Sequence, residues 1–238
     1  MRKIAFIPAR SGSKRFPNKN IFPLCGKPLL VWTVESFIKS NCFDEIIFSS
    51  DSDEYNNILR DFVDTDIIRF HKRSKEEAGD KIKIFDYIKE NISNFCNDED
   101  LFAMGLPTCP LRREFHIKDC IELYLSKRKS VFSACEFDFH VSFAFKLKNI
   151  DNSNFWEPAF KNSPMITGQT RSQDQEKFFH PNGAIYIIKP DDLKNNLKTF
   201  YINSIPYIMD KKFSTDIDNK LDLEIAEISI NQGILEKE

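Results

Sequence analysis

The strongest constraint in this sequence is an alternation. Lys3 to Pro8 (KIAFIP) is a short, nearly continuous apolar run closed by a loop, the pattern of a strand buried on both faces. The segments that follow predict a helix over Pro28 to Ser40, a strand over Glu45 to Ser50, a helix over Ser52 to Val63 and a strand over Asp66 to Phe70. A helix over Asp80 to Ile92 capped by Asp80, a strand over Leu101 to Leu106 and a helix over His116 to Lys127 continue the pattern. Parallel strands need a helical crossover between them, so the alternation predicts an α/β sandwich with a mostly parallel sheet.

The rhythm breaks after Cys135. Residues from about 137 to 176 hold a strand-like VSFAFKL and then a polar, aromatic stretch with no helix period. Such an insertion is either a solvent loop or a flap that pairs with another subunit, and Phe155, Trp156 and Phe160, which favour burial of part of it, point to the flap. Regular structure resumes with Ala184 to Lys189, a helix near Asp191, a strand-like TFYINSIPYIM and a last helix from Asn219 to about Asn231. No linker rich in Gly, Ser or Pro and no repeat interrupts the chain, which is therefore read as a single domain over residues 1–238.

Charge narrows the partners. Lys and Arg number 34 against 36 Asp and Glu, a net charge of -2, so no global cationic field draws the chain to nucleic acid or anionic lipid. Any anion must be bound locally. No stretch approaches about 18 uninterrupted apolar residues, and the N-terminal apolar run is too short for a signal peptide, so the expectation is a soluble, cytoplasmic protein without a membrane partner. The six cysteines are scattered without a C-x-x-C pair and read as reduced core residues, while the four histidines lack ligand spacing.

Three segments carry chemistry. The first strand runs into Ala9-Arg10-Ser11-Gly12-Ser13-Lys14-Arg15, and Lys19 and Asn20 follow shortly after. Ligands in open α/β sheets collect beyond the carboxyl ends of strands, where a loop of small residues can aim backbone N–H groups at phosphate while cations neutralise its charge. A polyphosphate site is the natural reading, although neither the P-loop G-x-x-x-x-G-K-[ST] nor G-x-G-x-x-G is present. Near the other end, Asp216 and Asp218 stand two apart just before a helix. Residues two apart in an extended segment share a side, so both carboxylates can converge on a hard cation such as Mg²⁺; the competing reading makes Asp218 the helix N-cap. Between them, Arg171 and Gln173 offer directed donors suited to an acidic substrate, and Asn182-Gly183 before AIYII is a hairpin signal.

Taken in order, IPARSGSKRFPNKNI, RSKEEAGD, LPTCPLR, RSQDQEKFFHPNGAIYI and STDIDNKLDLEIAE resemble the acylneuraminate cytidylyltransferases, over residues 4 to about 227. The resemblance implies a Rossmann-like, three-layer nucleotide-diphospho-sugar transferase fold and a homodimer with the insertion crossing to the partner. It further implies Mg²⁺-dependent transfer of CMP from CTP to an acidic nine-carbon α-keto sugar. On the matching motifs it implies that Arg10, Ser13, Lys14 and Lys19 grip the triphosphate and that Asn20 and Arg73 contact the cytosine. Asp216 and Asp218 would hold Mg²⁺, and Arg171, Asn182, Gly183 and Tyr186 would lie at the sugar. Arg10 and Lys19 are the expected electrostatic stabilisers; Asp218 would share the metal or accept the hydroxyl proton. The chain departs from the family at Arg15, where Gly is usual, and at Leu106 and Cys109, which replace Gln and Ser. Leu106 bears on the identity of the sugar more than on the reaction. The alternatives are a 3-deoxy-manno-octulosonate cytidylyltransferase and a catalytically dead nucleotide-binding homologue.

Overall fold

A computed structural model of the chain describes residues 1–13, 16–194 and 199–235. The elements in order are β1 (Lys3–Pro8), β2 (Pro23–Leu24), β3 (Lys27–Pro28), α1 (Leu29–Ser40), β4 (Glu45–Ser50), α2 (Asp53–Phe62), β5 (Ile68–Lys72), α3 (Ile84–Phe95) and β6 (Leu101–Met104). They continue with α4 (Glu114–Lys127), β7 (Val131–Glu136), β8 (Phe145–Ile150), β9 (Ser153–Pro158), α5 (Pro164–Thr167), β10 (Phe179–Ile188), α6 (Pro190–Lys194), β11 (Ile205–Ile208) and α7 (Lys220–Asn231). The chain divides into two compact units, one of Met1–Ala134 with Pro181–Glu238 and one of Cys135–His180.

The larger unit is built on a seven-stranded sheet ordered β11-β7-β10-β6-β1-β4-β5. β1 pairs in parallel with β4 and β6, β4 with β5, and β11 with β7, whereas β10 runs antiparallel to β6. The sheet is therefore mixed and mostly parallel. Period-2 alternation sorts each central strand between two cores. Ala5, Ile7, Ile46, Phe48 and Ala103 face one core with Leu30, Val34 and Phe37 of α1, Leu59 of α2 and Ile117 and Ile121 of α4. Ile4, Phe6, Ile47, Phe102 and Met104 face the other with Tyr87, Ile88, Ile92 and Phe95 of α3. Helices thus cover both faces, which is why the middle residues of β1, β4 and β6 are apolar on both sides, each large side chain contributing about 1.5–3 kcal/mol on burial.

Two expectations need correction. Helix α3 begins at Ile84 with Lys83 in the capping position, so Asp80 is not its cap; it lies in the preceding loop and pairs with Arg10. Asn182-Gly183 is not a hairpin turn but lies within β10, where Gly183 adopts φ +75°.

The smaller unit holds the antiparallel β8/β9 hairpin, with Leu147 opposite Trp156 and Ile150 opposite Ser153. Asp151 and Asn152, both at positive φ, make the two-residue turn that matches strand twist. Among the described residues no helix is long and apolar enough to cross a membrane.

Candidate active site

The parallel strands β1, β4, β5 and β6 all end at one edge of the larger unit, and the loops leaving them build a cleft of about 440 Å³ walled by Arg10, Gly12, Ser13, Lys19, Asp80 and Leu106. Three contacts pin the loop after β1. Ala9 N–H donates to Ser49 O (2.8 Å), Asn20 Nδ2 donates to Arg10 O (2.9 Å), and Ser11 donates through N–H and Oγ to the two oxygens of Asp51 (2.8 and 2.6 Å). Ser11, expected among the phosphate donors, is thus already engaged, which leaves Gly12 and Ser13 on the cleft wall. Arg10 Nη1 lies 2.8 Å from Asp80 Oδ1 and 3.4 Å from Ala78 O. Lys14 and Arg15 lie outside the described residues.

Beside the cleft, and sharing Pro8, Arg10 and Leu106 with it, is a smaller depression of about 170 Å³ holding Arg73 and Tyr87. Arg73 is buried, donates Nη2 to Ser49 O (3.1 Å) and sits over the Tyr87 ring at 5.7 Å. Burial lowers its pKa, opposed by Tyr87 and Asp51, and raises that of Tyr87 to about 12. Arg73 Nε and Asn20 Oδ1 are buried without hydrogen-bond partners among the described residues. These two residues, expected at a cytosine, therefore stand on adjoining walls, Asn20 in the cleft and Arg73 in the depression.

The carboxylate pair arrives from the far end of the chain. Ile217 is fully buried and its N–H donates to Thr108 O (2.8 Å), so the flanking Asp216 and Asp218 are turned the other way. Lys19 Nζ, 199 residues away in sequence, contacts Asp218 Oδ1 at 3.0 Å. The structure also rules out Asp218 as the helix cap, because Asn219 caps α7 and accepts from Leu221 and Asp222 N–H. Asp216 is exposed as a whole residue, yet its carboxyl is crowded. Desolvation and then the charge of Asp218 push its pKa up, against the Thr108 hydroxyl, Lys19 and Cys109. Among the described residues no group of three His, Cys, Asp or Glu converges, so any cation held by this pair takes its remaining ligands from elsewhere.

The expected sugar contacts divide. Asn182 is 3% exposed; its Oδ1 accepts from Ser133 Oγ (2.6 Å) and Ala184 N–H (3.2 Å), and its Nδ2 donates to Ser214 Oγ (3.0 Å). Tyr186 is equally interior, packed edge-on against Phe85 and Phe200, with a pKa raised by burial. Both side chains brace the wall behind the cleft. Gly183 sits so close to that wall that a Cβ would lie 3.1 Å from Leu106 Cδ1 and 3.3 Å from Cys109 Sγ. Arg171 and Gln173 belong to the smaller unit, where Arg171 is exposed, lies 3.6 Å from Asp174, and meets the Gln173 amide oxygen at 2.7 Å once that amide is oriented to satisfy both groups.

Sequence reading missed Asp51, Asp80 and Arg112. Asp51 directly follows β4 and Asp80 lies in the loop after β5, and nothing local in the sequence pairs either with the first loop. Arg112 is 1% exposed, donates Nη2 to Leu106 O, and has its pKa lowered to about 10 by burial.

The sequence profile of the family described as cytidylyltransferase matches residues 4–230. An N-acylneuraminate cytidylyltransferase of Escherichia coli is 35% identical over 231 residues, covering 96% of this chain and 52% of that protein. A pseudaminic acid cytidylyltransferase of Campylobacter jejuni is 30% identical and covered at 96% in both chains. The chain thus spans about half the length of the first relative and nearly all of the second. Among solved structures, a CMP:2-keto-3-deoxy-manno-octonic acid synthetase complexed with CTP shares the fold with a TM-score of 0.66 over 98% of this chain and 100% of its own, at 14% identity.

Proposed function

The chain belongs to the cytidylyltransferase family, and from that premise we propose that it transfers CMP from CTP to the anomeric hydroxyl of a nonulosonic acid, releasing pyrophosphate. The acceptor is sialic acid or a bacterial relative such as legionaminic or pseudaminic acid, the class named by the relatives. One observation carries the reading. The 3.0 Å contact between Lys19 and Asp218 brings the cationic first loop and the carboxylate pair to the same cleft, where a triphosphate needs both.

In the proposed step the acceptor oxygen bonds to the α-phosphorus and the bond to the bridging oxygen of pyrophosphate breaks. Arg10 and Lys19 stabilise the charge that builds on the leaving group, in a wall fixed before the ligand arrives. Asp216 and Asp218 fit Mg²⁺, which needs only one or two protein carboxylates and fills its octahedron with water and phosphate oxygens. Bound there, the ion would supply further charge neutralisation at the phosphates. Asp218 either shares the ion or takes the hydroxyl proton. Asn20 and Arg73, on the adjoining walls, flank the base.

Initial rates of pyrophosphate release from CTP with sialic, legionaminic, pseudaminic and 3-deoxy-manno-octulosonic acids test the proposal. A nonulosonic acid is expected to react fastest. Fastest turnover with the octulosonate would replace the acceptor, and CTP binding with no turnover on any of the four would mark a dead homologue.

Two further points belong to the same proposal. The protein works in the cytoplasm, where CTP is available, and it is a homodimer that covers the hairpin of the smaller unit. Phe145, Leu147 and Trp156 share one hairpin face and are 50%, 66% and 45% exposed, an apolar patch that an isolated subunit would leave in water. Light scattering that reads a monomer mass at micromolar concentration would overturn the dimer.

A further inference from the structure

We infer that Asp51 is a positioning residue for the nucleotide site: its carboxylate fixes the start of the phosphate loop through Ser11 and so sets where Arg10, Gly12 and Ser13 face. The inference rests on the function proposed above and concerns a residue that none of the motifs contains.

Asp51 follows β4 directly, and the obvious occupation for an acid there would be to cap the next helix. It does not do so. Ser52 caps α2, its side chain accepting from Tyr55 N–H, and both Asp51 oxygens are given instead to Ser11. Burial pushes the Asp51 carboxyl up, but the Ser11 hydroxyl and N–H and the charge of Arg73 outweigh it and hold the pKa below its ordinary value.

The end of β4 also reaches the other half of the site. Ser49 O accepts from Ala9 N–H and from Arg73 Nη2, and Ser50 O accepts from Arg73 N–H at 2.9 Å. Three consecutive residues, Ser49 to Asp51, therefore hold the phosphate loop and the buried guanidinium in one frame. A negative charge beside a triphosphate loop repels the ligand, so its presence makes sense only if it contributes something larger. Both Ser11 donors are committed to it, which fixes the backbone before the ligand arrives and spares the ordering cost on binding.

The sign of one measurement separates the two effects. Asp51→Asn keeps the shape, removes the charge and removes one acceptor. If repulsion dominates, CTP binds Asp51→Asn more tightly than wild type; if positioning dominates, it binds about tenfold more weakly. The experiment is calorimetric titration of the full chain with CTP and Mg²⁺, run on wild type, Asp51→Asn, Ser11→Ala and the double variant, with kcat and KM measured in parallel. Weaker CTP binding in Asp51→Asn, a fall in kcat/KM at least as large, and a double variant no weaker than Asp51→Asn alone support the inference. Unchanged or tighter binding in Asp51→Asn overturns it, as do effects of the two substitutions that simply add. A wild-type protein that does not bind CTP overturns the proposed function itself, and the inference with it. Ligand-free thermal midpoints equal to wild type in both single variants are expected, and a collapse in Asp51→Asn alone would make the residue structural.

Discussion

Polar residues that line the cleft and polar residues buried just behind it are built on opposite terms. Arg10, Lys19 and Asp218 each meet a partner from a remote element and keep part of the side chain toward open space, so those partners can be exchanged for a ligand. Asn182 and His116 are 3% and 2% exposed and are engaged inside: Asn182 by Ser133, Ala184 and Ser214, His116 by the N–H of Arg113 and the ring of Phe213. The difference assigns jobs. Cleft residues should govern rate with little effect on stability, and the braces should govern stability with little direct effect on rate.

The sharpest break between the two sets is expected at Asp216. Asp216→Asn keeps the volume and removes one charge from the proposed cation pair, so kcat should fall by at least about a hundredfold. Because the folded state raises the pKa of this carboxyl, its ionised form is less favourable folded than unfolded. Stability therefore declines as pH rises above the ordinary aspartate value of 3.8, and without metal the Asn variant should melt no lower than wild type at neutral pH. A variant that kept near-normal pyrophosphate release, or that lost activity only by unfolding, would dissolve the distinction at its strongest point.

How far the sequence disclosed these roles depended on the kind of interaction. The alternation of β1, α1, β4, α2, β5, α3 and β6 was legible because each strand repeats its apolar pattern locally, and Lys19 and Asp216 were legible because charge in a strand-end loop has few structural uses. Asn182 and Tyr186 were expected at the sugar, yet their burial depends on Ser133, Ser214, Phe85 and Phe200, which come from four other places in the chain. Asp51 and Asp80 were opaque for the same reason. Their partners Ser11 and Arg10 lie 40 and 70 residues away, and only the parallel order of β1, β4 and β5 brings them together. Local pattern predicts elements, whereas pairing across strand ends needs the sheet.

His116 sharpens the other side of the comparison. Burial pushes its pKa down to about 4 from an ordinary 6.5, so the folded protein resists the proton that the unfolded chain accepts. Its contribution to stability is complete above pH 6.5 and is lost as pH falls through the window to about 4. The loss amounts to roughly 3 kcal/mol at 1.36 kcal/mol per pKa unit. Urea titrations at pH 7, 5.5 and 4.5 should show that decline in wild type and a flatter profile in His116→Asn, whose side-chain oxygen can still accept from Arg113 N–H. Equal slopes in the two proteins would mean that this brace does not govern acid stability.

The smallest expected effect lies at Leu106, an apolar residue whose backbone is held like the braces and whose side chain lines the cleft. Its backbone is tied behind the cleft: N–H donates to Gly183 O (3.3 Å), and the carbonyl accepts from Arg112 Nη2 and from Thr33 Oγ1 (3.5 Å). The side chain nevertheless faces both the cation-lined cleft and the depression of Arg73. A tied backbone leaves the branched side chain little freedom to withdraw, so whatever part of the ligand lies against it meets carbon. Carbon neither accepts nor donates, and an acceptor that presents a hydroxyl there leaves it unpaired, whereas a deoxygenated position loses nothing. Leu106→Gln restores a polar head of similar reach. Relative kcat/KM should shift by about tenfold toward the more hydroxylated sialic acid and away from its deoxygenated bacterial relatives, with a smaller change in KM for CTP. If KM for CTP moves instead and acceptor preference does not, Leu106 abuts the nucleotide beside Arg73, and the acceptor lies against other residues.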